Sequence, residues 1–206
     1  MHRTADLLIR NARIVDGTGA PARNGDVAVR DGQIVAVGRF GGTATRTLDA
    51  AGRILTPGFI DIHTHFDPQL CWDGLATPSI EHGVTTVFIG NCSLSLAPVR
   101  PDGKDKLVNM FQVIEDIKKG TFDAAVPFSW ESFPEYLGFI RRHLGINVAA
   151  LIGHSALRYY VMGPASQQRT ATPAELAEMC RLVEEAMAAG AAGISSSYVD
   201  IDENMQ

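Results

Sequence analysis

The chain has 206 residues, 46% hydrophobic and 20% charged, with a formal net charge of -5. Such a composition is ordinary for a folded globular protein, and an acidic balance without a Lys/Arg cluster argues against a nucleic-acid partner. No apolar run approaches the roughly 20 residues that cross a membrane, and the N-terminal stretch carries Arg10, Asn11 and Arg13 where a signal peptide would be apolar.

Residues 6 to 56 read as β structure. "DLLIRNARIVDG" and "DVAVRDGQIVAVG" are short β-branched runs separated by turn residues. Asp31-Gly32 joins two of these runs, and Asp-Gly readily takes the positive φ angles of a type I′ hairpin turn. A further turn over Asp49 to Gly52 precedes "RILTPG". Residues 1–56 are therefore read as a small β domain, and residues 57–206 as a second domain.

The rhythm then changes. "GFIDIHTH" (58–65), "GVTTVFIGNC" (83–92), "INVAALIGH" (146–154) and "AAGISSSY" (191–198) are nearly continuous apolar runs that turn polar at their C-terminal ends. Strands buried on both faces of a parallel sheet have this form. Helices are expected between them. One runs from Thr172 to Ala189, with Thr172 and Glu175 as a capping box, Pro173 in the first turn and Gly190 after the end. Its apolar stripe is Leu176, Met179, Cys180, Val183 and Met187. Others are expected over 132–145 and 105–120, the last within a long, mobile excursion over 100–131. Phe111, Phe128 and Trp130 of that excursion are candidates to line a substrate pocket. Alternating strands and helices predict βαβ units and an α/β fold. The polar tail "IDENMQ" has neither a strand signal nor a helix stop, so the chain reads as interrupted in mid-fold.

Ligands of parallel α/β sheets bind at the C-terminal ends of the strands. Here those ends offer His63, His65 and Asp67, then Asn91 and Cys92, then His154 and Ser155, then Ser195 to Tyr198. His63 and His65 stand two apart, so on a regular strand both imidazoles point to one side and can share a cation. They can equally be two polar residues where a strand meets a loop. Cys92 suits a thiolate ligand or a small buried hydrophobe. His154 can serve as a ligand, a substrate contact or a hydrogen-bond donor. Arg158, four residues on, can meet a substrate carboxylate or lie on the surface. Cys71 and Cys180 read as packing residues, and three cysteines without a CxxC pair suit a reducing cytoplasm.

"DLLIRNARIVDGTG", "LDAAGRILTPGFIDIHTHFD", "HGVTTVFIGNCSLSLAP", "WESFPEYL" and "LIGHSALR" together resemble the amidohydrolase superfamily, more closely its N-acyl-D-amino-acid deacylase (D-aminoacylase) branch. The resemblance implies a β-sandwich domain beside a (β/α)8 TIM barrel, of which this chain would carry about the first four βα units. It implies zinc at the barrel mouth, with His63, His65 and Cys92 as metal ligands, and His154 and Arg158 as substrate-binding candidates. The implied reaction is hydrolysis of a linear amide bond of an N-acyl-D-amino acid by metal-activated hydroxide. Two further histidines and a catalytic aspartate would lie beyond Gln206. The isolated chain would then be inactive and would associate with the remaining half of the barrel or with itself. Relatives acting on cyclic amides place a carboxylated lysine at the end of the fourth strand, and "GISSSYVD" has none. Ser197-Tyr198 also stands where many D-aminoacylases have Gly-Leu. The alternatives are another C–N bond, a cyclic amide included, or a non-catalytic remnant serving as a binding module.

Overall fold

A computed structural model describes residues 4–197. The chain divides into two compact units, Met1–Gly58 and Phe59–Gln206. No helix among the described residues is long and apolar enough to cross a membrane.

The first unit is one mixed sheet. Its strands are β1 (Thr4–Ile14), β2 (Arg23–Arg30), β3 (Gln33–Gly38), β4 (Thr43–Asp49) and β5 (Ile54–Leu55). The order is β3-β2-β1-β4, with β5 also beside β1. The β2–β3 hairpin turns on Asp31 and Gly32, at φ 49° and 71°, as an Asp-Gly pair predicts. The turn before β5 is held by the Asp49 carboxylate, which accepts from the Ala51 N–H at 2.8 Å. Ala5, Leu8 and Ala28 are buried on this sheet, while Ile34, Val37, Leu48 and Ile54 remain exposed. A sandwich has two sheets, and the described residues of this unit form a single sheet.

The second unit is a four-stranded parallel sheet in chain order: β6 (Phe59–Asp61), β7 (Val84–Ile89), β8 (Asn147–Gly153) and β9 (Gly193–Ser195). The helices between them are α1 (Lys104–Glu115), α2 (Lys119–Ala125), α3 (Phe133–Ile140), α4 (His154–Met162) and α5 (Pro173–Ala188). Parallel strands in sequence order with intervening helices form the wall of a half-barrel. Val87 and Ile89 of β7 and Ala150 and Ile152 of β8 are buried in one core with Met179, Leu182 and Ala186 of α5.

Several boundaries differ from the sequence reading. Capping boxes at Thr172/Glu175 and Ser132/Glu135 start α5 and α3 where expected. However, α3 ends at Ile140, and Gly145 instead donates its N–H to the Gly74 carbonyl at 2.9 Å. The helix expected over 105–120 is two helices, because Asp116 takes the left-handed conformation, φ 53°, and ends α1. The buried face of α5 is Met179, Leu182 and Ala186, whereas Leu176, Cys180 and Met187 are exposed. The inner stripe lies about one residue around the helix from the expected one. The sequence pattern does not predict helix α4, because its apolar residues continue the run of β8 without a turn signal.

The 100–131 excursion is largely packed. Phe111, Phe122 and Trp130 are buried in the core. Trp130 donates its indole N–H to the Leu96 carbonyl at 2.8 Å, and its ring lies 5.1 Å from Tyr136 and 5.0 Å from Phe139. Phe111 and Trp130 therefore do not line a pocket. Burying such rings is what anchors the long connection to the barrel wall.

Candidate metal centre

The histidines do not lie on a strand. β6 stops at Asp61, and residues 62–65 cross the C-terminal end of β7. Thr64 is the clamp. Its N–H (3.1 Å) and its hydroxyl (2.6 Å) both donate to the Phe88 carbonyl. The Asn91 amide donates to the carbonyls of Thr64 and Phe88, each at 3.1 Å. With Thr64 buried between them, His63 and His65 are held with ring centroids 5.5 Å apart. A loop clamp, and not the two-residue repeat of a strand, aligns the pair.

Cys92 comes from the turn after β7. Gly90, Cys92 and Ser93 have φ of 77°, 54° and 67°. Left-handed backbone at non-glycine residues persists only where the surroundings hold it, and here three strand ends do so. Asn91 ties the turn to the β6 side. The Ser93 carbonyl accepts from the Ser155 N–H at 3.2 Å, beside β8. Ser195 at the end of β9 accepts from the Ser93 N–H at 3.2 Å and donates to the Gly90 carbonyl. The Ser197 N–H donates to the Ser93 hydroxyl at 3.0 Å. A Cβ on Gly90 would lie 2.8 Å from the Leu151 carbonyl carbon and 3.2 Å from its amide nitrogen. Glycine alone lets the turn run this close to β8.

These two segments bring His63, His65 and Cys92 together, with one ligand atom from each lying within 4.8 Å of the others. His63 Nε2 is 3.1 Å from Cys92 Sγ. Glu115, the last residue of α1, reaches in from the excursion, its Oε1 3.4 Å from His65 Nε2. Burial, with His63 alongside, lowers the pKa of His65 and favours its neutral form. Burial, then Glu115, raises that of Cys92. Burial likewise raises that of Glu115, opposed by His63.

Two observations fit this cluster to a metal. His65 Nδ1 is buried without a hydrogen-bond partner. The donors are two imidazoles and a thiol, a set that suits zinc, and their spacing brackets the roughly 3.3–3.7 Å between donors on one tetrahedral zinc. Neutral imidazole is the form that coordinates, and a nearby cation would reverse the upward push on the thiol.

The other candidates lie elsewhere. Asp67, expected beside the histidines, is fully buried; its Oδ2 accepts from the Gly90 N–H at 3.1 Å, and its Oδ1 has no partner. Burial pushes its pKa up to about 7. It braces the Cys92 turn from behind and is outside the converging set. His154 is the first residue of α4 and is not in that set either. Arg158 donates to the carbonyls of Ser166, at 2.5 Å, and Arg169, at 3.2 Å. Tyr198 lies outside the described residues. Glu115 escaped the sequence reading, since a carboxylate at a helix end far along the chain carries no spacing signal. The acidic ending of α1 was the only hint.

The amidohydrolase family profile matches residues 46–203. A D-aminoacylase of Alcaligenes xylosoxydans xylosoxydans is 39% identical over 193 residues, which are 93% of this chain and 37% of that protein. An N-acyl-D-aspartate deacylase of the same organism is also 39% identical, over 93% of this chain and 36% of its own length. The chain thus spans little more than a third of these relatives. Among solved structures, a D-aminoacylase superposes with a TM-score of 0.79 at 36% identity, covering 98% of this chain and 40% of that one. The N-acyl-D-glutamate deacylase of Bordetella bronchiseptica, solved with zinc and a phosphonate mimic of the tetrahedral intermediate, superposes with a TM-score of 0.74 at 35% identity, covering 94% and 38%. The chain belongs to the amidohydrolase family and corresponds to the N-terminal part of its D-aminoacylases.

Proposed function

We propose that the protein deacylates N-acyl-D-amino acids, hydrolysing a linear amide with zinc held by His63, His65 and Cys92. The observation that carries this reading is the convergence of two imidazoles and a thiol to within 4.8 Å at the ends of β6 and β7. The names of the relatives supply the substrate class. Bound there, zinc would polarise the amide carbonyl and make a water molecule more acidic. The chain's own residues position the ligands. Thr64 and Asn91 clamp the histidine segment, Ser93 and Ser195 hold the Cys92 turn, and Glu115 orients His65. His154, at the head of α4, is assigned to substrate contact, and Arg158 supports it by tying α4 to the turn that follows. The free cysteines Cys71, Cys92 and Cys180 suit the cytoplasm.

The test combines metal analysis with turnover of N-acetyl-D-methionine and its L-enantiomer by the full gene product. Zinc in the purified protein and hydrolysis of the D-isomer are expected. His63→Ala and Cys92→Ala are each expected to weaken zinc binding by more than about a hundredfold, since even outer partners of a ligand are worth 10- to 100-fold. Wild-type protein that binds no zinc and cleaves neither isomer would favour the binding module.

A further inference from the structure

A groove of about 260 Å³ opens beside the candidate metal centre and shares His65 and Glu115 with it. Its other walls are mostly apolar: Phe66 and Trp72 from the segment after β6, and Ile117 from the break between α1 and α2. Trp72 is 46% exposed, although it belongs to a residue type that usually hides its ring. Such a surface next to a reactive centre needs an apolar occupant.

A substrate with an acyl end and an amino-acid end offers two candidates, and charge separates them. The amino-acid end carries a carboxylate. Among the described residues no Lys or Arg lines the groove, and Glu115 stands at its inner end. The Gln69 amide is already used, donating to Asp73 Oδ2 at 3.0 Å and to the Thr77 carbonyl at 2.6 Å. A carboxylate placed here would lose its water and gain no cation. An uncharged hydrocarbon body loses nothing and covers Trp72 and Phe66.

We infer that the groove formed by Phe66, Trp72 and Ile117 binds the acyl group of the substrate and favours acyl bodies larger than acetyl. This rests on the deacylase reading and deepens it. The segment 100–131 thereby reaches the substrate, through Ile117 at the α1–α2 break and Thr121 in the first turn of α2, and not through the rings it buries. Thr121, on the groove wall, is the position from which a larger side chain would fill the space.

The experiment uses the zinc-loaded full gene product and has two arms. In the first, kcat/KM is compared for N-acetyl-, N-hexanoyl- and N-phenylacetyl-D-methionine. Trp72→Ala is expected to lower the hexanoyl-to-acetyl ratio on the order of tenfold, as loss of apolar pocket contacts does. Thr121→Trp is expected to lower it further by filling the groove. In the second arm, hexanamide is titrated while the Trp72 indole resonance, assigned by its absence in Trp72→Ala, is followed by NMR. Hexanamide is expected to shift that resonance, and acetamide to leave it in place. Unchanged ratios in both variants, or hexanamide binding that leaves the Trp72 signal unmoved, would overturn the assignment. Wild-type protein that cleaves no acyl amino acid but still shows the hexanamide shift would refute the deacylase reading and leave the apolar site standing.

Discussion

Gly90→Ala separates the geometry of the Cys92 turn from its chemistry, because it removes no polar group. At φ 77° an alanine costs about 1–2 kcal/mol for the left-handed backbone alone. The new methyl would also lie 2.8 Å from the Leu151 carbonyl carbon, a backbone atom that cannot rotate away. The turn and β8 must therefore part, and Gly90 then loses the N–H bond to Asp67 and the bond its carbonyl accepts from Ser195. At about 1 kcal/mol for each hydrogen bond the total is about 3–4 kcal/mol. Gly83 is the control. Its φ is 86°, yet a Cβ there would meet the Phe59 ring at an ordinary 3.5 Å. Gly83→Ala is thus expected to cost only the backbone part, about 1–2 kcal/mol. Urea unfolding of the two variants measures the difference, and competition with a chromophoric chelator measures zinc affinity. Gly90→Ala is expected to lose both stability and affinity, since Cys92 moves with the turn. Equal costs for the two variants would refute the close-approach reasoning. A lost stability with intact affinity would show that Gly90 does not place the thiol.

Glu115→Ala is expected to lower zinc affinity about tenfold by freeing the His65 ring, with Glu115→Gln recovering part of the loss; identical affinities would show that the 3.4 Å contact carries no weight. Trp130→Ala is expected to destabilise by about 3–5 kcal/mol as a core truncation. Trp130→Phe, which keeps most of the ring but leaves the Leu96 carbonyl unpaired, is expected to cost about 1–3 kcal/mol, both read from urea midpoints. The Arg169 side chain and the capping contacts of Thr172 hold the Glu175 carboxyl down at about 2, below its unfolded value of about 4.3. A depressed acid contributes stability above its unfolded pKa and loses it as pH falls toward the folded one. The stability gap between wild type and Glu175→Gln is therefore expected to close between about pH 4.3 and about pH 2, and a gap that stays constant over that window would count against the cap.

What could be read along the chain was whatever local chemistry dictates. The Asp31-Gly32 turn, the capping box at Thr172, and the apolar runs of β7 and β8 each declare themselves within a few residues, because turn angles, cap bonds and burial periodicity act over that range. The βαβ succession followed from them, as did the candidacy of His63, His65 and Cys92 at strand ends. Tertiary structure decided the rest. The histidines are aligned by Thr64 bonding across to Phe88, and the thiol is aimed by three left-handed residues tied to Ser155 and Ser195. Glu115 reaches His65 where Asp116 ends α1, and Phe111 of α1 packs against Phe122 of α2. Long-range contacts of this kind set orientations to fractions of an ångström, and no residue involved differs in type or spacing from one that merely packs. Residue types and periods therefore name the donors, while the closure of distant segments on one another decides which of them meet.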